Sequence, residues 1–207
     1  FDFAKEMKRL GFKTFIHDDC LFRRVDARGD ITVAIHVDDG IGAASSKRVV
    51  DEFLKAFKYP ISESGPLKYC LGMRVLTNSK TGVMSLDAAA DIKTAAKHYG
   101  CQRSRRHDTP MEARLDVSKD QCPTDAEEIA AMSKRPYRGV IGTGQYFVNI
   151  RPDCQYAVSK LASFTNNPGL VHWKHALRIL THMDYSDKKM YFGTNRHNVK
   201  RHAAVRC

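Results

Sequence analysis

The stretch "ITVAIHVDDGIGAAS", Ile31 to Ser45, alternates apolar and polar residues and then sets two aspartates side by side. Ile31, Val33, Ile35 and Val37 share one face at period two, so the run reads as a half-buried strand. The opposite face carries Thr32, Ala34, His36 and Asp38, and it ends in acid close to a turn. Asp39-Gly40 is a tight-turn signal after such a run, and that plain reading needs no function. The other reading makes the acids half of a metal site, at the end of a sheet with one apolar face and one wet face.

Upstream, "CLFRRV" (20–25) and "ITVAIHV" (31–37) flank "DARGD", which predicts a β-hairpin, and "FDFAKEMKRLGF" predicts a helix stopped at Gly11. Downstream, Ile41 to Ala44 returns as a strand. Ser46 caps a helix through about Lys58, with Val49, Val50, Phe53, Leu54 and Phe57 as its apolar stripe. "KYCLGMRVL" and "VMSLD" read as a second hairpin, and Asp87 caps a helix ending at Gly100. Strands paired as hairpins and backed by helices predict an α+β fold built on an antiparallel sheet. Past "CQRSRRHDTPMEARLDVSKDQCPTD" the pattern turns helical, so a lobe boundary is placed near Pro110. Thr124 with Glu127 matches a capping box. Pro136 and Pro152 suit helix starts, and Asn167-Pro168 precedes a long helix with Val171, Trp173, Ala176, Leu177, Ile179 and Leu180 inward.

Lys and Arg outnumber Asp and Glu by 34 to 23, a formal charge of +11 that favours a polyanion such as nucleic acid as partner. No run approaches the roughly 18–20 apolar residues of a membrane-spanning helix, and no signal peptide opens the chain, so an intracellular, cytoplasmic protein without membrane attachment is expected. The six cysteines stand singly and read as reduced thiols. His197, His202 and Cys207 match no zinc module by spacing. Adjacent carboxylates at a strand end are what two-metal phosphoryl transfer uses, the ions lying about 3.5–4 Å apart. By spacing alone the pair is a weak signal, because Asp18-Asp19 is another such pair with no evident role.

"IHVDDG" resembles the Tyr-x-Asp-Asp box of reverse transcriptases, and the order around it resembles the copia-type retrotransposon polymerase. "GPLKYCLGMRV" (65–75), "DTPMEARLDVSKDQCP" (108–123), "YRGVIGTGQYFVNIRPDCQYAVSKLASF" (137–164) and "NPGLVHWKHALRIL" (167–180) follow in that family's order. The resemblance implies a partial polymerase palm over residues 1–110, a small helical thumb-like bundle over 111–185 and a basic tail over 186–207. It implies RNA-directed DNA polymerisation, with Asp38 and Asp39 as the metal-binding catalytic acids. Two Mg²⁺ ions would serve the complete enzyme, with RNA template, DNA primer and deoxynucleotides as partners. His36 stands where the family has tyrosine and would face nucleotide and primer; the plain alternative is a polar side chain satisfied on an exposed sheet face. Leu71 and Gly72 fall where the family's hairpin supports the primer, against the plain reading of a β-bulge. Arg103, Arg105, Arg106 and Arg151 would contact the nucleic-acid backbone, as could the basic tail. Gly144 and Gln145 replace the family's usual Leu-Met, and a helical glycine costs about 1 kcal/mol, so weakened thumb packing is expected. The family also uses an aspartate from an earlier strand, expected upstream of Phe1, and polymerisation by this chain alone is not expected. The alternative is a non-catalytic nucleic-acid-binding remnant of a decayed element.

Overall fold

The computed structural model describes residues 3–37, 39–61, 63–78, 80–101, 106–113, 117–186, 188–193 and 204–206. The chain divides into two compact units, Phe1–Ser85 with Tyr191–Cys207, and Leu86–Met190. The division thus falls at Ser85/Leu86 rather than near Pro110. The physical reason is the helix after the second hairpin, which packs on the last long helix of the second unit through Ile92 and Ala96.

The first unit opens with α1 (Phe3–Arg9) and a four-stranded antiparallel meander, β1 (Lys13–Phe15), β2 (Asp18–Asp26), β3 (Gly29–His36) and β4 (Asp39–Ala44), in the order β1-β2-β3-β4. Next comes α2 (Lys47–Ala56), with Ser46 at its N-cap. Period-two alternation points Phe22, Ile31, Val33 and Ala44 to one face, where Met7, Leu10, Phe12, Val49, Val50, Phe53 and Phe57 complete a buried core. Aromatic edges lock it, Phe12 against Phe53 at 5.4 Å and Phe3 against Phe22 at 5.5 Å. A buried carboxylate ties α1 to the end of α2. Glu6 accepts from Arg9 at 2.8 and 2.6 Å and from the Lys58 backbone N–H at 3.1 Å. The Arg9 hydrogen bonds, with that backbone N–H and the Lys58 charge, outweigh burial and pull its pKa down to about 2.

Two further sheets follow. β5 (Glu63–Gly65) pairs antiparallel with β10 (Ala204–Arg206). β6 (Tyr69–Cys70), β7 (Met73–Thr77), β8 (Met84–Asp87) and β9 (Met190–Phe192) form a sheet in that order, and the division between units falls inside β8 and β9. The expected basic tail therefore contributes strands β9 and β10, while residues 194–203 and 207 lie outside the described residues.

The second unit is helical: α3 (Ala89–His98), α4 (Ala126–Ser133), α5 (Tyr137–Phe147), α6 (Gln155–Ala162) and α7 (Leu170–Tyr185). α3, α5 and α6 each pack against α7. Asp125, not Thr124, caps α4, its carboxylate accepting from the N–H groups of Glu127 and Glu128. Gly144 is buried where α5 meets α6, and a Cβ there would lie 3.1 Å from Val158 Cγ2. The expectation of weakened packing is thereby corrected, because the missing side chain is what lets these helices approach so closely. The phase of α7 also differs from the sequence reading. His172, Ala176, Ile179, Leu180 and Met183 are buried, whereas Trp173 is half-buried and Val171 exposed. His172 stacks on Phe164 at 4.1 Å, and its Nδ1 accepts the Gly169 N–H at 2.8 Å.

Candidate nucleic-acid interface

Strands β3 and β4 pair antiparallel as far as His36 and Asp39. Asp39-Gly40 is therefore not the turn, because β4 already begins at Asp39. Val37 holds φ 55, a left-handed backbone that a β-branched residue adopts only under strain, and its side chain is 83% exposed. The apolar alternation therefore stops at Ile35. Asp38 lies outside the described residues. His36 is exposed and Asp39 half-buried, on the sheet face opposite the core.

That face mixes short side chains, Ala34, Thr32 and Ala43, with longer ones. Leu21, Ala34 and Ile41 form one cross-strand row, and Arg23, Thr32 and Ala43 form the next. Ala34 and Ala43 are exposed, since α1 and α2 both pack on the other side. Arg23 is held by Asp30 through bonds of 3.1 and 2.7 Å, so its charge is partly neutralised. The exposed Ala34 and Ala43 lie on the face that carries Asp39 at one end, and β10 packs against β4. The oxygen donor of Asp39 suits a hard cation.

The second hairpin bears on the same carboxylate. Cys70 pairs with Met73, leaving Leu71 and Gly72 as the two central turn residues with φ 49 and φ 79. Gly72 is neither inside a strand nor at a bulge. Both positions take the positive φ of a primed hairpin turn, which suits Asn-Gly and strains leucine. Leu71 is 41% exposed. Burial, and then the nearby charge of Asp39, push the Cys70 thiol up, so the β6–β7 hairpin lies within electrostatic reach of the β3–β4 tip.

The expected phosphate contacts fare differently. Arg103 and Arg105 lie outside the described residues. Arg106 is exposed, but it donates to Asp108 at 2.7 Å and lies over the Tyr185 ring at 5.2 Å. Arg151 is 0% exposed. Its guanidinium donates to Asp153 at 3.0 and 2.9 Å, to the Met183 carbonyl at 2.9 Å and to Ser186 Oγ at 2.7 Å. The expectation that Arg151 reaches a nucleic-acid backbone is corrected on this ground, because its donors are spent inside the helical unit.

Around it lies a node that sequence reasoning missed. His182 Nδ1 donates to the His107 carbonyl at 2.7 Å, and its Nε2 lies 3.2 Å from Asp153. Lys188 donates to the same carboxylate at 2.9 Å. Burial works against the Asp153 charge, but Arg151, Lys188 and His182 together hold the carboxyl well below the usual range. Donor atoms of Asp153, Cys154 and His182 lie within 4.8 Å of one another. They fit a metal ion poorly, since two cations already occupy the carboxylate and burial, then Asp153, pushes the Cys154 thiol up to about 12. Among the described residues no helix is long and apolar enough to cross a membrane.

The chain is 27% identical over 187 residues to a retrovirus-related Pol polyprotein from transposon TNT 1-94 of Nicotiana tabacum, covering 87% of this chain and 14% of that protein. It is 27% identical over 187 residues to a transposon Ty5-1 protein of Saccharomyces cerevisiae, covering 89% and 58%. A retrovirus-related Pol polyprotein from transposon RE2 of Arabidopsis thaliana is 24% identical over 180 residues, with 84% and 12% covered. The chain thus spans between 12% and 58% of these relatives' own lengths. No family profile and no solved structure matches it. Over most of its length the chain is homologous to transposon Pol polyproteins.

Proposed function

We propose that this chain is the palm-and-thumb portion of a copia-type reverse transcriptase, and that its first unit presents the nucleic-acid-facing half of a two-metal nucleotidyl-transfer site. The observation that carries this reading is the sheet face with the exposed Ala34 and Ala43 that ends at Asp39, within electrostatic reach of the hairpin turned at the strained Leu71-Gly72. Homology to transposon Pol polyproteins supports it. Asp38 and Asp39 would hold Mg²⁺ through carboxylate oxygens. The bound ions would activate the primer hydroxyl and stabilise the departing pyrophosphate. The protein's own part is positional. Ala34, Thr32 and Ala43 leave room for a duplex backbone, His36 pairs with Asp39 on the same face, and Leu71 presents an apolar tip towards the primer. The helical unit would act as the thumb, its Arg151 node giving rigidity rather than phosphate contact.

Primer extension on an RNA template tests this, with the chain fused behind the preceding part of a related transposon polymerase. Mg²⁺-dependent extension that disappears in Asp38→Asn and Asp39→Asn is the expected result. Extension that survives both substitutions sinks the reading. One departure favours a second reading, a non-catalytic binding remnant: His36 replaces the aromatic residue of the polymerase box. In that case the fusion would bind primer–template in a salt-dependent way, indifferent to Mg²⁺ and to Asp39→Asn.

A further inference from the structure

The hairpin β7–β8 and strand β9 enclose a groove of about 480 Å³ in the first unit, away from the acid pair in sequence. Its lining combines an aromatic ring, Tyr191, with the aliphatic side chains of Leu76 and Val83 and the polar groups of Thr77, Asn78 and Ser85. Tyr191 is 68% exposed and Leu76 40%, whereas Ser85 is only 7% exposed. An aromatic ring left open beside aliphatic walls and a few hydroxyls suits a flat, heteroatom-bearing ring system rather than a lone phosphate.

The wall of the groove is fixed in advance. Asn78 Oδ1 accepts from the N–H groups of Lys80 at 2.9 Å and Thr81 at 3.2 Å, and the Asn78 N–H donates to the Val83 carbonyl at 2.8 Å. With its oxygen engaged, the Asn78 amide has its NH₂ as the group left for a ligand acceptor. Gly193 follows β9 at φ 129, and a Cβ there would come within 3.2 Å of Val83 Cα, so glycine lets this strand lie tight against the loop. Lys80 is exposed in the same loop, and the whole chain carries +11. Single-strand binding surfaces combine exposed aromatic rings with basic side chains, the ring for a base and the charge for its backbone.

We infer that the Tyr191 groove is a stacking site for an unpaired nucleobase of a single-stranded RNA or DNA segment. A base inside a duplex has both faces covered and cannot offer one to Tyr191, so the site discriminates single from double strands. The inference rests on the nucleic-acid reading above but not on catalysis, and it needs no metal.

Fluorescence anisotropy with labelled single-stranded and duplex oligonucleotides, at low salt and without divalent ions, provides the test. Tyr191→Ala should weaken single-strand binding roughly 5- to 100-fold and leave duplex binding unchanged, with Tyr191→Phe close to wild type. An unchanged thermal transition in Tyr191→Ala separates loss of stacking from loss of fold. Equal binding by Tyr191→Ala, or an equal loss for duplex and single strand, overturns the site while leaving the polymerase reading standing. Failure of the wild-type chain to bind any single-stranded oligonucleotide overturns the site as well, whereas the polymerase reading stands or falls on extension by the fusion.

Discussion

The tip of β3–β4 and the Arg151 node handle charge in opposite ways. At the tip, Asp39 sits half-buried on the face opposite the core, near a valine held at φ 55. In the node, Asp153 is gripped by Arg151, Lys188 and His182, and the arginine is fully buried. The first arrangement sets a half-buried carboxylate two positions from a strained residue, and the second uses up a carboxylate's acceptors to join segments of one helical unit. Backbone strain is a feature that functional sites often carry, whereas saturation with burial marks architecture.

The largest effect should come from breaking the saturated side. Arg151→Met leaves Asp153 without its bidentate partner and strands the Met183 and Ser186 carbonyls, so urea unfolding should show a loss of about 3–5 kcal/mol. Arg151→Lys should recover little of this, since an ammonium cannot reproduce the planar fork. An unchanged unfolding midpoint would mean that the node is ornamental. Next is Gly169→Ala, whose Cβ would lie 2.1 Å from the Gln121 carbonyl oxygen. The backbone must shift, at a cost of about 1–3 kcal/mol in the same measurement.

A pH series sharpens the contrast inside α7. His172 is held below its ordinary 6.5, first by burial, and is therefore neutral when folded. The unfolded chain binds that proton more readily, so the contribution of His172 is complete above about 6.5 and is lost as pH falls below it. His172→Asn should flatten this part of the stability profile, and an identical slope in the variant would refute the assignment. Asp153, held low in the folded state, should matter only in more acidic solution, below about 4. The smallest effect belongs to the exposed side. Leu71→Asn relieves a leucine at φ 49 and should stabilise the first unit by about 1 kcal/mol while lowering primer extension by the fusion. Stabilisation with full activity would separate the strain from function.

Legibility in the sequence followed the range of the interactions. Strands β2 and β3, the Ser46 cap and the core face of α2 rest on period and on side-chain to backbone contacts a few residues apart, and all were readable. The acid pair was readable as a pattern, but its place relative to the turn was not. Val37 looks like the next apolar residue of a strand, and only the pairing of His36 with Asp39 shows that the strand has ended. The fate of Arg151 was illegible for a plainer reason. Its partners include Met183 and Ser186, more than thirty positions away, and nothing local distinguishes an arginine bound for a phosphate from one bound for a carbonyl. Composition and alternation by themselves determined the basic charge, the hairpin-rich first half and the helical second half. Which charges stay open to a ligand and which are consumed by the fold was decided only in tertiary structure, because burial and hydrogen-bond saturation depend on segments brought together from distant parts of the chain.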